Sequence, residues 1–348
     1  MKYYPPILAI LIPILYSCIN PITDSTDFSK YKIAFIALNT TNEYGIYTVS
    51  GDENDLTELY TSNNSIVGIS WSIGGSGISF IEYNPAIDSA YIYILKNSGL
   101  KRIVSVQGNI ADISWSTRSD FLAFNSNHSG YNNIYRVQLK DFSNNPVNNH
   151  EIEGISDSER NDTLSVYSPD FYSSKIAFVR FENNKSELCI LNPWTKDVEY
   201  LTDGQFLDIG QPNWSPDAES IVFSAKKYNE DNYDLYVIYS DGSGLRQLTN
   251  SNSDEISPIW SEKADWIAFK KENEMHIITS NGEYERYLNA CNPHPGGSDW
   301  SMDGDILGFT FNSEIYFANI YTNNIVDIDT KNLKLINNGL TFSPIVSD

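Results

Sequence analysis

The chain alternates short apolar runs with polar, turn-forming stretches, and one phrase recurs along it: an aromatic residue, usually followed by Ser, a polar turn, and an apolar run ending in Phe. Six copies are ISWSIGGSGISF (69–80), ISWSTRSDFLAF (113–124), PDFYSSKIAF (169–178), PNWSPDAESIVF (212–223), PIWSEKADWIAF (258–269) and SDWSMDGDILGF (298–309). Apolar runs of this length, bounded by turn residues, predict buried strands rather than helices. The repeated aromatics Trp71, Trp115, Phe171, Trp214, Trp260 and Trp300 supply large apolar areas with which one repeat can pack on the next. A third strand follows each phrase, as in IYIL (92–95), IYRV (134–137) and DLYVIY (234–239). A fourth comes after a turn such as 240–244 and ends at Leu248-Thr249. Four strands recurring every 40 to 50 residues or so make the blades of a β-propeller.

The apolar phrase also stands alone at the start, as KIAFIAL (32–38), and SPIVSD (343–348) at the end resembles the SPIWSE of 257–262. Each end supplies what the other lacks. The expectation is an all-β, seven-bladed propeller of four-stranded blades over residues 31–348, with the C-terminal strand at 343–348 joining the N-terminal blade and removing open sheet edges. The break falls between first and second strands. Both termini then leave on the face that carries the first-to-second and third-to-fourth hairpins.

These motifs resemble the TolB-like, WD-repeat-related propeller family, whose consensus runs P-x-W-S-P-D-G, an I-A-F strand, a D-G-S turn and a terminal L-T. Residues 212–249 follow it almost throughout. The departures are local: Phe171 stands for Trp, and the turn Gly is lost at Ala218 and Ala264. The count of seven differs from the family's namesake, which has six blades. The resemblance implies work with envelope partners.

Before the propeller, residues 1–18 read MKYYPPILAILIPILYSC, one basic residue and a short apolar run ending at a small residue before Cys18. The run is shorter than the roughly 20 residues of a membrane-spanning helix, and Pro5, Pro6 and Pro13 would interrupt such a helix. Leu15-Tyr16-Ser17-Cys18 resembles the lipobox of bacterial lipoproteins, which implies a signal peptide over 1–18, lipidation of Cys18 and a tether over 19–30. An ordinary secretory signal or an N-terminal anchor helix are the alternatives. A lipoprotein reading puts the domain in the bacterial cell envelope, lipid-anchored at the outer membrane on its periplasmic or surface side.

With 45 Asp and Glu against 23 Lys and Arg, the chain carries a formal net charge of −22. That excludes a nucleic-acid binder, because phosphate contacts need Lys and Arg surfaces. Neither Cys189 nor Cys291 has metal-ligand spacing, and two buried free thiols are expected rather than a disulfide.

Candidate binding residues fall in two sets on the outward face, distal to the membrane. The loops at 81–90, 125–132 and 224–233 carry Tyr83, His128, Tyr131 and Tyr228. The loops between blades lead into the channel with Asp112, Asp208, Asp254, Glu255 and His294, whose carboxylates could hold a cation or basic group. A long polar insertion is read over 141–165. There is no G-x-S-x-G elbow, no H-E-x-x-H pair and no P-loop. The sequence therefore points away from an enzyme and toward a monomeric binding or scaffold module for an envelope protein, peptide or glycan. No cofactor is expected beyond a structural divalent cation such as calcium. The alternative is a polysaccharide-active enzyme similar to oligogalacturonate lyases, working at the channel mouth with His294.

Overall fold

A computed structural model describes residues 26–51, 55–139, 152–156, 159–169, 174–288, 295–311, 314–331 and 333–344. Residues 1–18, expected to be a signal peptide ending at Cys18, lie outside them, as do Cys291, His294 and most of the insertion. The described residues form seven antiparallel sheets, and blades two to seven follow in chain order. Each runs from an innermost strand outward, as in blade two with Ser65–Trp71, Ile78–Asn84, Ser89–Lys96 and Gly99–Gln107. The innermost strand of blade five is split into Phe206–Ile209 and Asn213–Trp214, both paired with Ser220–Lys227.

The recurrent Phe of the second strand is the centre of every blade. Phe35, Phe80, Phe124, Phe178, Phe223, Phe269 and Phe309 are all fully buried. Each is worth about 1.5–3 kcal/mol of apolar burial. On the third strand the paired residue is usually Tyr, and the rings stack, with centroids 5.3 Å apart for Phe80 and Tyr93 and 5.6 Å for Phe309 and Tyr316. His276 takes the Tyr slot in blade six and Cys189 takes it in blade four, where the thiol is free and buried. Both are packing residues of their blades.

Two copies of the repeat are framed differently from the sequence reading. In blade four the innermost strand is Asn161–Tyr167, and Tyr167 pairs with Ile176 as Trp214 pairs with Ile221, so Tyr167 and not Phe171 fills the aromatic position. Tyr-Ser-Pro-Asp at 167–170 is the true counterpart of Trp-Ser-Pro-Asp at 214–217. Phe171 itself lies outside the described residues. In blade one the closing strand is Lys334–Phe342, not 343–348, and Phe342 pairs with Ile33 at the aromatic position. Its Ser-Pro follows the aromatic residue, whereas in SPIW it precedes it. The insertion shrinks for the same reason: Ile152–Gly154 is the outermost strand of blade three, and 161–165 begin blade four. The outward loops are shorter than expected too, since strands extend to Asn84, Ser126 and Lys227.

The Ser after the aromatic residue explains the hairpin that follows. Its N–H bonds across the turn, Ser215 N to Ser220 O at 2.9 Å and Ser301 N to Ile306 O at 2.9 Å, while its hydroxyl accepts the return N–H, Ser220 at 2.9 Å and Ile306 at 3.0 Å. Ser215 and Ser301 are buried, so these bonds replace water that cannot reach them. The turn needs one left-handed residue, occupied by Gly75 and Gly304 in two blades and by Ala218 (φ 58°) and Ala264 (φ 61°) in two others. An Ala there costs roughly 1–2 kcal/mol that a Gly avoids, against a loss of order 0.5–1 kcal/mol in chain entropy.

Ala218→Gly and Ala264→Gly should each leave stability unchanged or raise it by up to about 1 kcal/mol in urea unfolding. Phe342→Ala removes a buried ring from the closing strand and should cost about 3–5 kcal/mol by the same measurement. An effect under about 1 kcal/mol would mean that the ring does not depend on residue 342.

Candidate functional site

The innermost strands run toward the hairpin face, so the residue two places after each aromatic lies on the rim of the channel there. Ile73, Thr117, Pro169, Glu262, Met302 and Pro344 are at this position and border a cavity of about 530 Å³. Residues from all seven blades line it, among them Ser70, Ser114, Ser165, Asn213, Glu262, Asp299 and Thr341, so this vestibule is the mouth of the central channel. A space of about 200 Å³ shares Trp115, Glu262 and Asp299 with it and continues toward Trp214 and Trp260.

Side chains just before the aromatic position stitch neighbouring blades. Ser114 Oγ accepts the N–H of Tyr167 (3.0 Å), Asn213 Oδ1 that of Trp260 (2.8 Å) and Asp299 Oδ2 that of Phe342 (2.8 Å). At three other junctions the preceding carbonyl accepts the next indole N–H: Ser70 O from Trp115 (3.3 Å), Val166 O from Trp214 (3.2 Å) and Ile259 O from Trp300 (3.2 Å). Six junctions are therefore latched. At the seventh, between blades one and two, the buried Nε1 of Trp71 has no partner among the described residues.

Three carboxylates face the vestibule. Asp299 also accepts the N–H of Trp300 at 2.9 Å, yet burial pushes its carboxyl up to about 6. Asp112 lies within the strand Ile110–Trp115, where a bulge with φ 54° turns it into the channel, and its Oδ2 accepts the N–H of Leu164 at 3.0 Å. Burial raises its carboxyl as well. Glu262 is raised by the surrounding wall and then by the charge of Asp299, although water reaches it at the rim. Channel walls crowd these groups without drying them. The latch does not need a charge, since Ser114 and Asn213 make the same bond in neutral form.

The sequence candidates divide. Asp112 lines the vestibule, on the opposite face from the outward loops with which it was grouped. Asp208 and Asp254 come together around Tyr233, whose hydroxyl donates to Asp208 and whose N–H donates to Asp254 at 3.0 Å. Glu255 is buried and ion-paired to Lys271 at 2.8 Å, and Lys271 reaches on to Glu285 beside His276. Tyr83 donates to Asp88 of its own loop at 3.0 Å. His128 sits 3.0 Å from Ser126 Oγ and 4.4 Å from the Tyr135 ring, and burial lowers its pKa. Tyr131 and Tyr228 are exposed and far from the vestibule rim in the chain's topology, on second-to-third loops. Among the described residues no three His, Cys, Asp or Glu side chains stand together as metal ligands. Asp299 and Glu262 were not singled out from the sequence and Trp71 was read there only as a packing ring, although aligning the copies on their Ser shows an acid at 299 where the others carry Ser, Val, Asn, Ile or Thr.

Comparison with known proteins gives the same architecture. A family model described as the TolB beta propeller domain matches residues 158–345. The chain is 30% identical over 82 residues to dipeptidyl-peptidase 5 of Porphyromonas gingivalis, a match spanning 22% of this chain and only 12% of that protein. TolB from Acinetobacter baumannii superimposes with a TM-score of 0.54 at 12% identity, over 86% of this chain and 79% of that one. Oligogalacturonate lyase from Vibrio parahaemolyticus gives 0.57 at 12% identity, over 85% and 84%. Likeness at this identity concerns the fold.

Below about pH 4 the neutral carboxyl of Asp299 favours the folded state fully, and that contribution is lost as pH rises through about 6, because the folded carboxyl holds its proton above the ordinary 3.8. Urea unfolding across this range should show wild-type stability falling, and Asp299→Asn, which keeps an acceptor as Asn213 does, should flatten that fall. Parallel curves for the two proteins would show that residue 299 is not the group that titrates.

Proposed function

The chain belongs to the TolB beta-propeller family, and from that premise we propose that it is a lipid-anchored binding module of the bacterial cell envelope whose vestibule takes a positively charged group from a partner protein or peptide. The observation that carries this reading is the carboxylate of Asp299. Its structural duty is met elsewhere by Ser and Asn, so charge in the channel needs another explanation. Ionising it there costs free energy that a cation would offset.

The rest of the vestibule suits an ammonium or guanidinium group. Glu262 and Asp112 add negative potential, and Trp71, Trp115 and Trp300 border the same space, so a long basic side chain would meet both rings and acids. Anchoring through Cys18, with outer-membrane residence, follows from the lipobox resemblance and is part of the same proposal. The outward loops, with Tyr131 and Tyr228, remain a second surface for a polar partner or glycan. A lyase-like enzyme at the channel mouth is the lesser reading. His128 and His276 belong to blades three and six and bond within their own blades.

A calorimetric titration with short Lys- and Arg-bearing peptides, against Glu-bearing controls, tests the vestibule. Binding should be cation-selective at neutral pH, weaken below about pH 6 as Asp299 takes up its proton, and fall roughly tenfold in Asp299→Asn or Glu262→Gln. Peptide affinity indifferent to both substitutions would sink the proposal. Calcium binding with no peptide binding would replace it with a simple ion site.

A further inference from the structure

Five aromatic side chains among the described residues are more than half exposed: Trp194, Tyr239, Tyr284, Tyr287 and Tyr321. Four of them share a structural address. Trp194 lies between the third and fourth strands of blade four (Lys185–Leu191 and Val198–Tyr200), and Tyr239 ends the third strand of blade five (Asp234–Tyr239). Tyr284 precedes the fourth strand of blade six (Glu285–Tyr287), and Tyr321 follows the third strand of blade seven (Glu314–Asn319). They form an arc of third-to-fourth hairpins across four consecutive blades. Antiparallel order puts these hairpins on the same face as the first-to-second hairpins, where Ile73 and Met302 are also exposed. Cations accompany the rings: Arg136 lies 4.4 Å from the Trp194 centroid and Lys263 5.3 Å from that of Tyr321.

The described chain begins on this face as well. Phe28 is buried against Phe317, Tyr31 donates to Asp303 at 2.7 Å, and Thr26 Oγ1 accepts from Asn319 Nδ2 at 3.3 Å, at the base of the hairpin that carries Tyr321. Seven residues lie between Cys18 and Thr26, eight backbone steps with a reach of at most about 28 Å. A lipid at Cys18 therefore holds one end of the aromatic arc near the bilayer.

We infer that the arc of Trp194, Tyr239, Tyr284 and Tyr321 rests in the headgroup layer of the membrane that the lipid on Cys18 enters. The inference builds on the anchoring part of the proposed function. Trp and Tyr favour that layer because a ring can sit among acyl chains while its N–H or O–H stays hydrated. A chain with a net charge of −22 suits a zwitterionic surface rather than an anionic one. Because the arc spans four of the seven blades, the domain stands tilted. Blades one to three are lifted, and the vestibule is reached from their side.

The test takes the chain from Cys18 onward, carrying Cys291→Ser so that Cys18 is the reactive thiol while Cys189 stays buried. It is coupled through a maleimide lipid to phosphatidylcholine vesicles with brominated acyl chains. Tryptophan fluorescence should be lower than on unbrominated vesicles, and Trp194→Phe should abolish the difference. Replacing Tyr239, Tyr284 and Tyr321 together by Ser should reduce the quenching of Trp194 by about threefold or more. In the Trp194→Phe background, Tyr131→Trp on the opposite face should show no quenching. An unquenched Trp194, or a quenched residue 131, overturns the inference. Mass spectrometry of the N-terminal peptide from cell membranes reads the anchor separately: an unmodified Cys18 would refute anchoring, while the vesicle result still decides whether the arc has membrane affinity.

Discussion

A propeller blade cannot bury its own faces, so everything here depends on the joint between one blade and the next. At that joint the aromatic residue ending each innermost strand is the common part. Its ring packs across the seam, and at six seams a hydrogen bond fixes its position, through the indole N–H at three and the backbone N–H at three. The two solutions share one requirement. A buried donor must find an acceptor from the preceding blade, and each bond contributes about 0.5–1.5 kcal/mol beyond the packing itself. The closing strand obeys the same rule, with Asp299 receiving Phe342, so closure of the ring uses the joint that repeats everywhere else.

This joint explains how much of the fold was legible. The Trp-Ser phrase and the following apolar strand are dictated by the seam and the hairpin, and they gave the architecture, the seven blades and the pairing of the two chain ends. The frame slipped in the two blades without Trp. Tyr167 and Phe342 do the same packing with a different ring, and their backbone N–H groups take the latch that an indole makes elsewhere. Aligning on the Ser, whose N–H bonds across the turn whatever the ring before it, Ser168 to Lys175 and Ser343 to Lys32, would have found both. In the insertion the error was one of length, because a three-residue outer strand at 152–154 has no periodicity to read.

The site was less legible for a different reason. Strand order indicates which loops share a face, but a cavity depends on how innermost strands bulge and which side chains the bulges turn inward. Asp112 became a vestibule residue through a left-handed bulge that nothing in Ile110-Ala111-Asp112-Ile113 announces. Asp208, Asp254 and Glu255 are acids at nearly the same strand positions, yet Asp208 and Asp254 bond Tyr233 and Glu255 is ion-paired to Lys271, so they serve local order. Acidic composition alone separates none of these cases. The partner of each carboxylate does.

The seam between blades one and two is the exception that ties the joint to the site. There the indole N–H of Trp71 is buried without a partner among the described residues, a deficit of about 1–3 kcal/mol at the wall of the vestibule. The seam next to it, between blades seven and one, is held by a carboxylate that resists ionisation. Two neighbouring weaknesses thus flank the strand Lys334–Phe342, the last to join the ring. A ligand that brought a positive charge to Asp299 and an acceptor to Trp71 would relieve both, and a peptide segment offers the two together, a basic side chain and its own carbonyl groups. Strength at six latched seams fixes the ring, and the proposed ligand would meet the two groups beside the closing strand that line the vestibule, Trp71 and Asp299.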